Sequence, residues 1–246
     1  MTELRVGVIG AGVMGSGIAQ TLAVAGYETV CCDSAPAALE RAKLGVVSGR
    51  FGMESAVARG KLSREAMDAA LSRLTWSDSL AMAAVADLII ECVPERLELK
   101  IRIFRELDRL AKPTAILASK TYGFSIAALA AATDRAERVV GWHWASPPPV
   151  MKFAEIVAAD HTSQATIETV VEVATACGKN PVVVKDTPMA WGFVANRVYF
   201  AMIREAQRVV DEGIATREQV NALMVDCFRW PVGPFAMVEG ARSGWK

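Results

Sequence analysis

The fold is decided by residues 6–15, which read Val-Gly-Val-Ile-Gly-Ala-Gly-Val-Met-Gly. An apolar run typical of a β-strand leads into three glycines, and residues 16–25 then have the pattern of a helix. Gly10 suits a tight turn, Gly12 lets a pyrophosphate approach the backbone, and Gly15 lets helix and strand pack closely. The helix start adds free N–H groups that bind phosphate. We therefore expect a dinucleotide to contact Gly10, Gly12, Val13, Met14 and Gly15.

An acidic residue follows at the spacing that this kind of site requires. The second strand-like run, residues 28–32, ends at Asp33, 18 positions beyond Gly15. A carboxylate there accepts hydrogen bonds from a ribose hydroxyl and repels a 2′-phosphate, so we expect NAD and not NADP. Asp33, Ser34 and Pro36 also fit an ordinary helix start with Asp or Ser as N-cap, and both roles can hold together.

The rest of the chain alternates strand-like and helix-like segments. Predicted strands cover residues 5–9, 28–32, 87–92, 114–118, 139–143, 153–157 and 181–184. Apolar runs such as Leu88-Ile89-Ile90 are typical of parallel strands that are buried on both faces. We expect an α/β fold, with a Rossmann-type, doubly wound, mostly parallel sheet over residues 1–185. A smaller all-helical domain is expected over residues 186–246.

Helix signals support this division. The spacing of apolar residues predicts an amphipathic helix over residues 97–111. Beyond residue 192 a longer helical face is predicted, and Gly213 is expected to end that helix. Its apolar positions are Phe193, Val194, Val198, Ala201, Met202, Ala206 and Val209. Thr216-Arg217-Glu218-Gln219 predicts a capping box at the start of another helix.

Composition excludes several classes of protein. The 246 residues carry 27 basic and 27 acidic side chains, so the broad basic surface of a nucleic-acid-binding protein is not expected. No apolar run approaches the roughly 18 residues that span a bilayer. Apolar alternation begins at Leu4 and leaves no room for a signal peptide, so we expect a cytoplasmic protein without membrane contact.

Cysteine usage argues against disulfides and metal. The five cysteines are an odd set without C-x-x-C spacing, so neither a disulfide framework nor a metal site is expected. Cys31 and Cys32 could form a redox pair, but neighbours in an extended segment point to opposite faces. Residues 35–65 carry six basic and three acidic side chains. That excess suits either a phosphate-rich substrate or an ordinary solvated helix surface.

Two histidines are candidates for proton transfer. His143 ends a predicted strand, and side chains at the carboxyl ends of such strands face the ligand crevice. Glu155 lies in the next extended run among apolar residues, where a carboxylate needs a partner. If these runs are neighbours, Glu155 can orient the imidazole while its other nitrogen takes a proton from a hydroxyl. The alternative is a structural, hydrogen-bonded histidine. His161, in a polar turn, is expected at the surface.

These features combine into a resemblance that spans nearly the whole chain. The segments that carry it are residues 6–15, Glu91-Cys92-Val93-Pro94-Glu95 with Lys100, Gly141-Trp142-His143, Pro149-Val150-Met151-Lys152, Val184-Lys185-Asp186-Thr187-Pro188 and Asn196-Arg197. In this order they closely resemble the 3-hydroxyacyl-CoA dehydrogenases. The resemblance implies oxidation of a 3-hydroxyacyl-CoA to the 3-keto thioester with NAD, as in fatty acid β-oxidation. It also implies a homodimer formed through the C-terminal helical domain.

The resemblance also implies roles for individual residues. His143 corresponds to the general base, Glu155 to its orienting partner, and Asn196 to a polar contact at the substrate. Glu95 and Lys100 match positions near the ribose and nicotinamide. Their alternative interpretation is a solvated first helical turn. Ser119 and Tyr122 match substrate-contacting positions.

Departures from the family pattern keep other functions open. Ser119-Lys120-Thr121-Tyr122 stands where the family has Ser-Asn-Thr-Ser, Ser146 replaces an asparagine, and Met189-Ala190-Trp191 looks inserted. The helical domain is also shorter than in the family. One alternative is an NAD-binding protein with little or no turnover, either a redox sensor or an inactive relative. Another is a dehydrogenase for an aromatic or cyclic hydroxyacyl-CoA, whose pocket Tyr122, Trp144 and Trp191 would line, unless these rings simply pack.

Overall fold

The computed structural model describes residues 4–187 and 190–243 of the chain. Its strands are β1 (Val6–Ile9), β2 (Thr29–Cys32), β3 (Leu74–Ser77), β4 (Leu88–Glu91), β5 (Ile116–Ser119), β6 (Val139–Trp144), β7 (Phe153–Ala158) and β8 (Asn180–Lys185). They form one sheet in the order β3-β2-β1-β4-β5-β6-β7-β8. Neighbouring strands are parallel except β6 and β7, which run antiparallel. The strand order reverses between β1 and β4, which opens a crevice at their carboxyl ends.

The chain divides into two compact units, Met1–Phe193 and Val194–Lys246. The helices of the first unit are α1 (Val13–Val24), α2 (Pro36–Ser48), α3 (Met53–Ala58), α4 (Arg64–Ser72), α5 (Leu80–Ala84), α6 (Leu97–Leu110), α7 (Ile126–Ala130) and α8 (Gln164–Ala176). Those of the second unit are α9 (Val194–Asp211), α10 (Arg217–Phe228) and α11 (Pro234–Ser243). The predicted Rossmann-type α/β fold, with a helical C-terminal part, is confirmed.

Each face of the sheet has its own hydrophobic core. Leu88 and Ile90 pack into one cluster and Ile89 into the other, which explains the unbroken apolar run in β4. The neighbours Cys31 and Cys32 are divided between the same two clusters, and both thiols are free. Burial raises the pKa of the Cys32 thiol to about 11. A neutral, buried thiol is a poor nucleophile, so these cysteines do not resemble a redox pair.

Three local features differ from the sequence-based expectation. The short edge strand β3 was not predicted, because Leu74 is its only buried residue and it shows no strand-like alternation. The N-cap of α2 is Ala35, not Asp33 or Ser34, although Pro36 does begin the helix. Phe193 precedes α9 and is buried in the core of the first unit.

Other predictions of helix ends agree with the structure. The Thr216 side chain accepts a hydrogen bond from the Gln219 backbone, and the Gln219 side chain accepts one from the Thr216 backbone. This is the predicted capping box. Gly213 follows α9 in the left-handed conformation, with φ at 70°. Residues 188 and 189 lie outside the described residues. Residue 188 ends the motif 184–188, and residue 189 begins the predicted insertion 189–191.

Candidate active site

The glycine turn, residues 10–15, joins β1 to α1 at the carboxyl edge of the sheet. Gly10 has φ at +104°, and a Cβ on Gly15 would lie 1.7 Å from the Gly10 carbonyl oxygen. Side chains are therefore excluded at both positions. Gly12, the N-cap of α1, makes no side-chain cap, and a Cβ on it would meet nothing within 4 Å. The helix N-terminus faces open space, which fits the pyrophosphate of a dinucleotide.

Asp33 lies at the end of β2, between two cavities that flank this turn. Its Oδ2 accepts a hydrogen bond from Ala11 N at 2.8 Å, and Oδ1 accepts one from Ala35 N at 2.9 Å. A cavity of ≈ 500 Å³ extends from Asp33 toward α2, and one of ≈ 310 Å³ toward α6. Each carboxylate oxygen keeps a second lone pair, so Asp33 can still accept a ribose hydroxyl. The residues present therefore fit an NAD molecule.

His143 and Glu155 lie directly opposite each other on the antiparallel strands β6 and β7. Their side chains meet with Nδ1 2.7 Å from Oε2, and both are buried, at 7% and 4% exposure. The Phe153 and Phe193 rings lie 5.0 and 6.0 Å from the imidazole. Within residues 4–187 and 190–243, Nε2 makes no hydrogen bond. A proton held on Nδ1 by the carboxylate leaves Nε2 as an acceptor.

A buried ionic cluster, Glu91, Glu95 and Lys100, lies at the end of β4. Lys100 Nζ is 2.9 Å from Glu91 Oε1 and 3.2 Å from Glu95 Oε2. Burial alone would lower the pKa of Lys100, but the two carboxylates outweigh it and raise the pKa. Lys100 is only 1% exposed, so the interpretation as a solvated helical turn is wrong. Glu91 was missed in the sequence, although a carboxylate that ends a buried apolar strand needs a partner.

Ser119 and Tyr122 extend this cluster in different ways. Ser119 is fully buried, and its hydroxyl donates to Glu91 Oε2 at 2.7 Å. Tyr122 N donates to Glu95 Oε1 at 3.1 Å, and its ring meets the edge of Trp191 with centroids 5.5 Å apart. Trp144 instead packs on Trp142 with 1% exposure, so it does not line an open pocket.

The remaining candidates lie elsewhere. Asn196 belongs to the first turn of α9, in the second unit. His161 is exposed in a turn after β7, as expected. Among the described residues, no group of three or more His, Cys, Asp or Glu side chains could hold a metal ion. In the same part of the chain, no helix is both long and apolar enough to cross a membrane.

Fold and site together define a class of protein. A Rossmann sheet with an open glycine turn, a carboxylate after β2 and a His–Glu pair is the architecture of a dinucleotide-dependent oxidoreductase. The family model of the 3-hydroxyacyl-CoA dehydrogenase NAD binding domain matches residues 5–187. The model of the C-terminal domain of the same enzymes matches residues 192–243. The chain therefore belongs to the 3-hydroxyacyl-CoA dehydrogenase family.

Individual relatives agree with this assignment. The chain is 38% identical over 235 residues to 3-hydroxybutyryl-CoA dehydrogenase of Bradyrhizobium diazoefficiens, covering 96% of this chain and 78% of the relative. It is 35% identical to the human mitochondrial hydroxyacyl-coenzyme A dehydrogenase, covering 96% and 75%. The crystal structure of (S)-3-hydroxybutyryl-CoA dehydrogenase PaaH1 from Ralstonia eutropha superposes with a TM-score of 0.90 at 36% identity, covering 95% and 81%.

These comparisons confirm four predictions made from the sequence. The family, the fold class and NAD as the cofactor are as expected. The chain is an enzyme, an oxidoreductase of this family. They do not test the roles of individual site residues.

Proposed function

We propose that the enzyme interconverts a 3-hydroxyacyl-CoA and its 3-keto thioester, with His143 as the general base and Glu155 as its orienting partner. The observation that carries this proposal is the 2.7 Å contact between His143 Nδ1 and Glu155 Oε2. It leaves Nε2 as a proton acceptor near the carboxyl end of β6, on the crevice side of the sheet.

The chemistry divides between cofactor and protein. When bound, NAD would supply the acceptor for the hydrogen on substrate C3, which leaves as hydride with its bonding electron pair. His143 Nε2 accepts the hydroxyl proton, so that the C3–O bond becomes a carbonyl. Glu155 holds the ring orientation and stabilises the imidazolium that forms. In the reverse direction the imidazolium returns the proton to the carbonyl oxygen.

The direct test follows nicotinamide absorbance with acetoacetyl-CoA, using NADH and NADPH in parallel, beside a fluorescence titration of coenzyme binding. We expect consumption of NADH and much slower consumption of NADPH, because Asp33 repels the 2′-phosphate. Binding of NADH without consumption would instead support a protein with little or no turnover.

Replacing Glu155 with glutamine should lower kcat by roughly 10² or more while the fold is preserved. The amide is isosteric in this buried position, but it is uncharged and its NH₂ group can donate a hydrogen bond to Nδ1. Nε2 would then carry the ring proton and could not accept one. Steady-state kinetics measured beside a thermal unfolding curve test this. Wild-type turnover in Glu155→Gln would make Glu155 a purely structural partner.

We assign the nucleotide end of the acyl-CoA to the cavity that two side chains of the basic segment 35–65 line. Arg59 and Lys61 line this cavity of ≈ 480 Å³ beside α1. Guanidinium and ammonium groups are suited to bind phosphates. This arrangement favours a phosphate-bearing substrate over the alternative of an ordinary solvated surface.

The double variant Arg59→Gln/Lys61→Gln should raise the KM for acetoacetyl-CoA about fivefold with little change in kcat, because it removes only binding energy. The KM for the acetoacetyl thioester of N-acetylcysteamine, which lacks the nucleotide, should stay the same. Arg64→Gln, an exposed change in the same segment, is the control. Equal effects on both substrates would contradict this placement of the nucleotide.

The aromatic contact of Tyr122 with Trp191 favours a second candidate, an aromatic or cyclic acyl group. Trp191 is about half exposed, at 49%, so part of its ring is available for contact. Comparing kcat/KM for benzoylacetyl-CoA and acetoacetyl-CoA distinguishes the two acyl classes. Asn196 and Tyr122 are proposed as substrate contacts in either case.

A homodimer formed through the helical unit completes the proposal. Val198, Ile214 and Leu223 are exposed apolar residues of that unit, of the kind that cluster at interfaces. The molecular mass in solution tests this assignment. The division at residue 185, the cytoplasmic location and a role in β-oxidation stay predictions from the sequence.

A further inference from the structure

Lys120 places a positive charge at the carboxyl edge of the sheet. Its backbone N donates to the Glu91 carbonyl oxygen at 2.8 Å, so the residue continues β5 alongside the end of β4. The side chain is half-buried, and Nζ lies 5.3 Å from the centroid of the Tyr122 ring. In the part of the chain that the structure describes, no carboxylate oxygen lies within 4.0 Å of Nζ. Burial lowers the pKa of Lys120 because no such close partner compensates for desolvation.

The charge of Lys120 changes the balance of the ionic cluster beside it. Glu91, Glu95 and Lys100 together carry one net negative charge when all three are ionised. Burial raises the pKa of Glu91, and the hydrogen bonds that its oxygens accept from Lys100, Ser119 and Val93 oppose that rise. Adding Lys120 brings the sum of these charges to zero.

The strand order indicates the direction in which bound NAD would cross this edge. Asp33, at the end of β2, would accept the ribose hydroxyl of the adenosine half. The nicotinamide half would then extend toward the ends of β4, β5 and β6, where Lys120 and His143 lie. The nicotinamide ring carries a positive charge in NAD⁺ and none in NADH, whereas the rest of the molecule is the same. A nearby charge therefore distinguishes the two forms.

We propose that Lys120 discriminates between the redox states of the cofactor and weakens the binding of NAD⁺ relative to NADH. The mechanism is electrostatic repulsion between the ammonium group and the cationic ring. The inference depends on NAD as the cofactor but not on the role of His143. Coenzyme binding alone tests it, whether or not the enzyme turns over.

The experiment measures the dissociation constants of NAD⁺ and NADH at pH 7, by fluorescence titration and competition. In Lys120→Gln, the ratio of the NAD⁺ constant to the NADH constant should fall about fivefold from its wild-type value, as one removed charge predicts. Lys120→Arg, which keeps the charge, should retain the wild-type ratio. Arg105→Gln removes a charge from the exposed face of α6 and should also leave the ratio unchanged.

Three outcomes would overturn the proposal. A ratio in Lys120→Gln within twofold of wild type would show that the charge does not reach the ring. Equal weakening of NAD⁺ and NADH would show that Lys120 contacts a group that both forms share. Lys120→Met is a second neutral variant. If both neutral variants unfold normally but bind neither NAD⁺ nor NADH, Lys120 must likewise contact a group that both forms share.

Discussion

Replacing His143 with alanine should lower kcat by roughly 10² to 10⁴, while the dissociation constant of NADH should stay within about twofold of wild type. The imidazole lies directly opposite Glu155 on the paired strands β6 and β7, with Nδ1 2.7 Å from Oε2. In the proposed mechanism its removal leaves hydride transfer without a positioned proton acceptor. We propose that the glycine turn and Asp33 hold most of the coenzyme, so its binding should not depend on the imidazole.

Further variants separate the loss of turnover in His143→Ala from its loss of folding stability. Alanine leaves Glu155 buried without its ring partner, which destabilises the fold by about 1–3 kcal/mol. His143→Gln keeps a side-chain amide that can donate to Glu155 but cannot act as a base near neutral pH, so it should lose turnover with less loss of stability. His161→Ala, an exposed change of the same kind, should be fully active. Near-normal kcat in both His143 variants would remove the imidazole from the mechanism.

The parts of the site that were predictable are local in the sequence. The glycine turn and Asp33 belong to one βαβ unit, where spacing alone fixes which atoms meet. The contact of His143 with Glu155 could be predicted only on one condition, namely that two predicted strands are neighbours in the right register. The antiparallel pairing of β6 with β7 supplies that register. A twelve-residue separation across a loop with three prolines gives no such information by itself.

The parts that were missed depend on burial and on contacts between distant segments. Lys100 is charged and lies on a helix, so its pattern suggests solvent, yet two carboxylates hold it in the interior. Trp144 ends a strand next to His143 and looked available for substrate, but it packs against Trp142. Strand β3 forms because it lies at the edge of the sheet beside β2. It has no buried pattern of its own, since its residues are mostly not buried. None of these outcomes follows from the periodicity of the sequence, because each depends on which distant residue or strand packs against the segment.

Replacing Gly12 with aspartate should abolish coenzyme binding, raising the NADH dissociation constant more than 100-fold, without unfolding the protein. The backbone at Gly12 is extended, with φ at −68° and ψ at −175°, so any residue can adopt it. A Cβ there meets nothing within 4 Å. Aspartate is also a favourable N-cap for α1. Its carboxylate, however, would enter the space that fits the pyrophosphate and would repel it.

Two further glycine variants separate the possible causes of this loss. Gly12→Asn keeps the N-cap and the side-chain size of Gly12→Asp but lacks its charge. The difference between the NADH dissociation constants of these two variants therefore measures charge repulsion separately from steric exclusion. Gly15→Ala should instead destabilise the protein without coenzyme, because its Cβ would lie 1.7 Å from the Gly10 carbonyl oxygen. Calorimetric titration with NADH, beside thermal unfolding of the coenzyme-free variants, distinguishes the two glycines. If Gly12→Asp bound NADH normally, the pyrophosphate could not lie over the start of α1, and the assignment of the adenosine half to Asp33 would fail with it.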